Sequence, residues 1–238
     1  MGVPQQICFV FVLILSAFQI SFAQQSNTEI SQLETFYYNK CLKNTGRQEA
    51  FEKLRTNAYE MYKYFEYAFQ YLPDKRKTFC DSERSNLVYR VKEIETDLKT
   101  CLDQQEKFLA GFFRKSFEEF LHFFCHHNGE YSTRFFSIEG RQCREAIENA
   151  KSSDLDNCLN RIFAPSKSHI TQQEMCDDVT VTKKCFAQLL EVHCPTSRDM
   201  KQLNGIFFDY LAKPCSSCSF VVNGFLVLGL VLINLLWR

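Results

Sequence analysis

Three groups of residues in this chain have the type and spacing to do chemistry. The first is His122, Cys125, His126 and His127. His122 and His126 stand four apart, which on a helix aligns two imidazoles on one face, as a metal pair would need. Cys125 is expected to be oxidised, and no third ligand of the kind HExxH supplies accompanies the pair. The sequence therefore predicts a solvent-exposed imidazole pair at a helix end and no metal. The second group is Cys215-Ser216-Ser217-Cys218, which has CxxC redox spacing. It lacks a βαβ context and abuts a hydrophobic segment. The third is Cys176, Cys185 and Cys194, spaced nine apart. Nine residues make two and a half helical turns, so these sulfurs do not share a face. Disulfides to different partners follow, rather than a thiolate metal site.

Beyond these groups the signatures of catalysis are missing. No GxSxG, GxGxxG or P-loop occurs. Glu118 and Glu119 are adjacent and point in different directions, so they make no acid–base pair. Lys plus Arg is 28 and Asp plus Glu is 28, and zero net charge argues against nucleic acid as the main partner. The reading is a non-enzymatic protein with no catalytic residue and no cofactor.

The elements that must carry these residues are helical. From Phe51 to Leu72, apolar side chains fall at Phe51, Leu54, Ala58, Met61, Phe65, Ala68, Phe69 and Leu72. Steps of three and four make one face of a helix. Pro73-Asp74 stops it. Asp81-Ser82-Glu83 is placed to cap a second helix carrying Leu87, Val88, Val91, Ile94, Leu98 and Cys101. A third runs from Asp103 to His126 through Phe108, Phe112, Phe113, Phe117, Phe120, Leu121 and Phe124. Shorter helices are expected at 141–151, 154–163, 178–193 and 197–212. Alternating strand patterns are scarce, so the fold class is all-α, a disulfide-stapled helical bundle. With 45% hydrophobic residues in 238, the chain can bury a real core.

Both ends carry address-like segments. Met1 to Ala23 has a short apolar core and small residues at Ser21 and Ala23, the pattern of a signal peptide over 1–23. From Phe220 the chain reads FVVNGFLVLGLVLINLLWR, barely long enough for a span and followed by no basic cluster. Small residues lie upstream of it. Segment 217–238 is therefore read as a GPI signal, with Ser216 or Ser217 as attachment residue, or as a single transmembrane segment. Between the two lies an extracellular, disulfide-rich helical domain, 24–216. It holds 27 basic and 28 acidic residues and no N-glycosylation sequon.

Cysteine parity fits that division. Cys8 leaves with the signal peptide, and Cys218 leaves with a tail cut after Ser216 or Ser217. Ten remain for five disulfides: Cys41, Cys80, Cys101, Cys125, Cys143, Cys158, Cys176, Cys185, Cys194 and Cys215.

The order of residues over 101–215 resembles a known family. The segments are FLHFFCHHNGEYSTRFFSIEGRQCREAIENA, LDNCLNRIF, MCDDVTVTKKCFAQLLEVHC and PTSRDMKQLNGIFFDYLAKPC. Their marks are Phe124-Cys125 before a Gly-containing turn, Phe136 to Cys143 through a Gly, the three evenly spaced cysteines, Pro195-Thr196 and Pro214-Cys215. This is similar to the insect 27 kDa haemolymph glycoprotein family. The resemblance implies a secreted, helical protein with no established enzymatic activity.

The 24 Phe leave one functional question open. Phe108, Phe112, Phe117, Phe120, Phe124, Tyr62, Phe65 and Phe69 could be simple core, or could line a cavity for a small hydrophobic ligand, with tyrosine hydroxyls at its rim. The leading expectation is a protein anchored at the cell surface, by its tail or a GPI lipid, that binds another extracellular protein. The alternative is a hydrophobic-ligand carrier.

Overall fold

The structure, a computed structural model, describes residues 27–149, Cys158 and 169–216. The signal-peptide reading, the expected helix at 154–163 apart from Cys158, and the tail with Ser217 and Cys218 lie outside the described residues. The described chain is helical throughout and contains no strand. Its longer helices are α1 Asn27–Thr45, α2 Gln48–Phe69, α3 Arg84–Cys101, α4 Phe108–Cys125, α5 Glu130–Phe135, α6 Ile138–Glu148, α7 Gln172–His193 and α8 Arg198–Leu211. α3 lies between α2 and α4, and α1 packs on α2 and α3. α8 joins α4 to α7, and α6 rests on α7.

The periodic residues go where their spacing sends them. All eight apolar positions from Phe51 to Leu72 are buried. So are Leu87, Val91, Ile94, Leu98 and Cys101 on α3, and Phe112, Phe113, Phe117, Phe120, Leu121 and Phe124 on α4. The centre of the core is aromatic. Phe65 meets Phe69 at 5.0 Å, Phe120 at 5.8 Å and Phe117 at 6.0 Å between ring centroids. Phe124 closes the cluster on Phe120 at 5.1 Å and Phe69 at 5.5 Å. These separations are those of offset and edge-to-face aromatic contact. Phe207 of α8 joins on the far side, 6.0 Å from Phe120 and 5.3 Å from Phe123.

Five disulfides staple this frame: Cys41–Cys101, Cys80–Cys125, Cys143–Cys194, Cys158–Cys185 and Cys176–Cys215. Their sequence separations run from 27 to 60. Through loss of unfolded-chain entropy each is worth about 3.5–4.5 kcal/mol. The three cysteines nine apart bond to three different partners.

Helix boundaries differ from the periodic reading where side chains at the ends are engaged elsewhere. Helix begins at Arg76, and Asp81-Ser82-Glu83 lie inside a π-helical turn, Phe79–Glu83, rather than capping α3. Phe79 is buried and Cys80 is bonded to Cys125, so this stretch is held in the bundle before α3 starts. α4 begins at Phe108, not Asp103. Residues 103–107 instead form a turn in which Glu106 is drawn inward to Lys40 and to the Ile170 backbone N–H. α7 starts six residues earlier than its apolar pattern, on a capping box of Thr171 and Glu174. α1 and α5 had no clear periodic signal.

Two buried polar contacts lock the N-terminal helices to the rest. Asp97 of α3 accepts hydrogen bonds from Lys53 at 2.8 Å and Asn57 at 2.6 Å on α2. Glu106 is fully buried, and its carboxylate accepts from the Lys40 ammonium of α1 and, at 3.1 Å, from Ile170 N–H. A buried ion pair broken on one side leaves an uncompensated charge. Lys40→Met is therefore expected to cost about 3–5 kcal/mol in denaturant unfolding, and the Lys40→Met/Glu106→Gln double variant clearly less; equal losses would mean that the two side chains are not coupled. Phe117→Ala, at a site with no exposure, is expected to cost about 3–5 kcal/mol with the disulfides intact. A loss near zero in the same unfolding experiment would contradict the packing described.

Candidate functional site

The end of α4 gathers a cluster of polar aromatic groups: His122, His126, His127, Tyr131 and Tyr210. The i, i+4 spacing puts the His122 and His126 rings 4.7 Å apart. α4 ends at Cys125, pinned to Cys80, and the next residues turn sharply. His127, Asn128 and Gly129 all have positive φ, at 46°, 53° and 75°. This left-handed turn folds the His127 ring back to 3.8 Å from that of His126. Gly129 suits the turn twice over, through its φ and because a Cβ there would run into the Arg76 side chain.

α8 supplies the other wall. The Tyr210 hydroxyl lies 2.8 Å from His126 Nδ1. His122 Nδ1 faces Glu119 Oε2 at 3.6 Å. Lys213 bonds to the same Glu119 carboxylate and lies over the Tyr210 ring at 3.9 Å. Desolvation, then the neighbouring His127, His122 and Lys213, hold the His126 imidazole below the usual histidine range, against a smaller opposing pull from Glu119. Cys125 is in a disulfide and offers no thiolate. Glu119 was considered from the sequence only as an acid–base partner of Glu118, and Tyr210 was not singled out; Tyr210 lies 84 residues from His126 and no local pattern connects them.

A second polar cluster surrounds Glu106. Asp103, Glu106 and His169 bring one ligand atom each within 4.8 Å of one another. The Lys40 ammonium already sits on both carboxylates, bonding Glu106 and lying 3.4 Å from Asp103. Lys43 adds a bond to Asp103 at 3.2 Å. Burial pushes the Asp103 carboxyl up, but the bonds and charge of Lys43 and Lys40 outweigh it and leave it below the usual carboxylate range. Burial, with the charge of Glu106 adding to it, drives the nearby Tyr37 phenol far above its usual value. The cluster is a clamp between α1, the 103–107 turn and the start of α7.

The aromatic residues considered for a ligand cavity are spread through the core. Phe65, Phe69, Phe117, Phe120 and Phe124 touch one another ring to ring, Phe112 is buried, and Phe108 is half-buried against them. The Tyr62 hydroxyl bonds back to Glu66 on its own helix. Of the other tyrosines on and just after α2, Tyr67 is exposed, Tyr59 is half-buried, and Tyr64 and Tyr71 are half-buried against the core. Tyr67 and Tyr71 share a hydroxyl contact of 2.8 Å, and Tyr67 is 50% exposed. Tyr64 bonds to Glu83 and lies under the Arg90 guanidinium at 4.5 Å. Tyr59 lies under Lys63 at 4.2 Å. Ser216 ends a short helical turn, Lys213–Ser216, which Cys215 ties to α7. Among the described residues no helix is long and apolar enough to cross a membrane.

No curated protein and no solved structure matches the chain. A family model does, over residues 76–218, from the helical turn before α3 to just past the last disulfide. That match spans more than half of the sequence, and the chain belongs to the family described as proteins of unknown function, DUF1397.

Proposed function

We propose that this protein is a non-enzymatic extracellular scaffold, held at the cell surface by a GPI lipid added in place of its apolar C-terminal segment, that binds another protein through its exposed helical faces. The observation that carries the reading is how the aromatic side chains are divided. The large rings of α2 and α4 fill one another's contact surface, with Phe65, Phe117, Phe120 and Phe124 at most 1% exposed. Tyr67 is 50% exposed, and Tyr59, Tyr64 and Tyr71 are half-buried with their rings beside Lys63, Arg90 and Lys75, at the edge of the core rather than inside it. Tyrosine and arginine are the residues that protein interfaces favour, since they bring large contact area with a polar handle. Five disulfides suit an oxidising exterior. The likeness to insect haemolymph glycoproteins supports the same compartment, and the apolar run from Phe220 supports a tether.

Two measurements test the reading. Native mass spectrometry of the full chain from secretory expression is expected to give the processed polypeptide with five disulfides and no retained small molecule. A stoichiometric hydrophobic adduct would overturn the scaffold in favour of a carrier. Phosphatidylinositol-specific phospholipase is expected to release the protein from intact expressing cells; retention with the tail intact points instead to a spanning segment.

A further inference from the structure

We infer that His122 and His126 form a bidentate surface site for a divalent transition ion that prefers imidazole, of the Cu²⁺ and Zn²⁺ class. The spacing puts both rings on one face of α4, 4.7 Å apart. Metal–imidazole bonds are about 2.0–2.1 Å, so rings this close can share one ion. The decisive feature is what each ring does with its other nitrogen. His126 Nδ1 contacts the Tyr210 hydroxyl and His122 Nδ1 faces the Glu119 carboxylate. In metal sites the ligating histidine usually gives its second nitrogen to such an oxygen, which fixes the tautomer and the ring plane. Here His126 carries that support on Nδ1 from Tyr210, and His122 turns Nδ1 toward Glu119 at 3.6 Å, outside hydrogen-bond reach, which assigns Nε2 of each ring to the ion. Among the described residues neither Nε2 makes a hydrogen bond.

The surroundings make the site rigid and set its preference. Cys125, between the two histidines, is bonded to Cys80, so the last turn of α4 cannot fray. The His127 ring, turned back by the left-handed turn, packs against His126 and fixes that ring's position. Lys213 neutralises Glu119, so the local field offers little to a hard cation such as Ca²⁺ or Mg²⁺, which seeks several charged oxygens. Nitrogen donors with little net negative charge select borderline ions, with Cu²⁺ bound most tightly. The cluster of Asp103, Glu106 and His169 is the weaker competitor, because the Lys40 ammonium already bridges its two carboxylates.

The experiment is a titration of the full, disulfide-intact chain in mild detergent with Zn²⁺ by calorimetry, and with Cu²⁺ by electron paramagnetic resonance. One ion per chain is expected, with nitrogen superhyperfine structure in the Cu²⁺ spectrum. His122→Ala and His126→Ala should each abolish saturable binding with the fold retained by circular dichroism; both rings are half-buried against Tyr210, so a modest fall in melting temperature accompanies each change. Tyr210→Phe should weaken binding about 10-fold with the fold unchanged, and His169→Ala should leave it as it was. Absence of saturable binding, binding that survives in the His122→Ala/His126→Ala double variant, or loss of binding in His169→Ala would each overturn the assignment.

Discussion

The contact on which the rest of this molecule depends is the stack of phenylalanine rings on α4, which meets α2 on one side and Phe207 of α8 on the other. Each disulfide joins residues within one of two stretches: 41–125 on one side, 143–215 on the other. Among the described residues no sulfur bridge runs from one stretch to the other. The connection is made by packing, where Phe120 and Phe123 meet Phe207, and by the Ser116 hydroxyl donating to the Leu211 carbonyl at 3.1 Å. Disulfides restrict the unfolded chain within each stretch. Hydrophobic burial, about 1.5–3 kcal/mol for each fully buried ring, holds the two stretches together.

That division explains what could be read in advance. The helical period of α2, α3 and α4 was visible because each buries a continuous apolar stripe, and all eight positions from Phe51 to Leu72 are inside. The ends were less visible because long-range partners set them. Nothing local announces that Glu106 will be pulled out of α4 by Lys40, which lies 66 residues away. Nor does local sequence explain why the helix should widen into a π turn at Phe79–Glu83, where a buried ring and a disulfide occupy successive residues. α1 escaped notice for another reason. Among its described side chains Tyr37, Lys40 and Cys41 are buried and Phe36 and Tyr38 pack against the core, and this run of neighbours gave no three- and four-residue period to read.

The polar sites show the same limit. The histidine pair was legible from its spacing alone. Its orienting partners were not, because Tyr210 arrives on α8 only once α8 has packed on α4. Aromatic richness was ambiguous for a different reason: composition reports how much ring surface a chain carries but not whether rings face each other or a void. Around Phe65 and Phe120 the rings lie 5.0–6.4 Å from one another, centroid to centroid.

The family match raises a question of what the folding unit is. It begins at Arg76 and so omits α1 and α2, yet covers four of the five disulfides in full. The fifth, Cys41–Cys101, clips the N-terminal helices onto the matched segment, with help from Lys40–Glu106 and from Lys53 on Asp97. The matched segment is therefore self-stapled but not self-covered. Without α2, Phe117, Phe120 and Phe124 would lose Phe65 and Phe69 and face water, and Asp97 would lose both of its partners from α2. Several large rings exposed on one helix make a patch that a soluble domain rarely tolerates. The unit that folds must therefore include α1 and α2, and any chain built on the matched segment alone has to bring some other apolar element to the same face of α4.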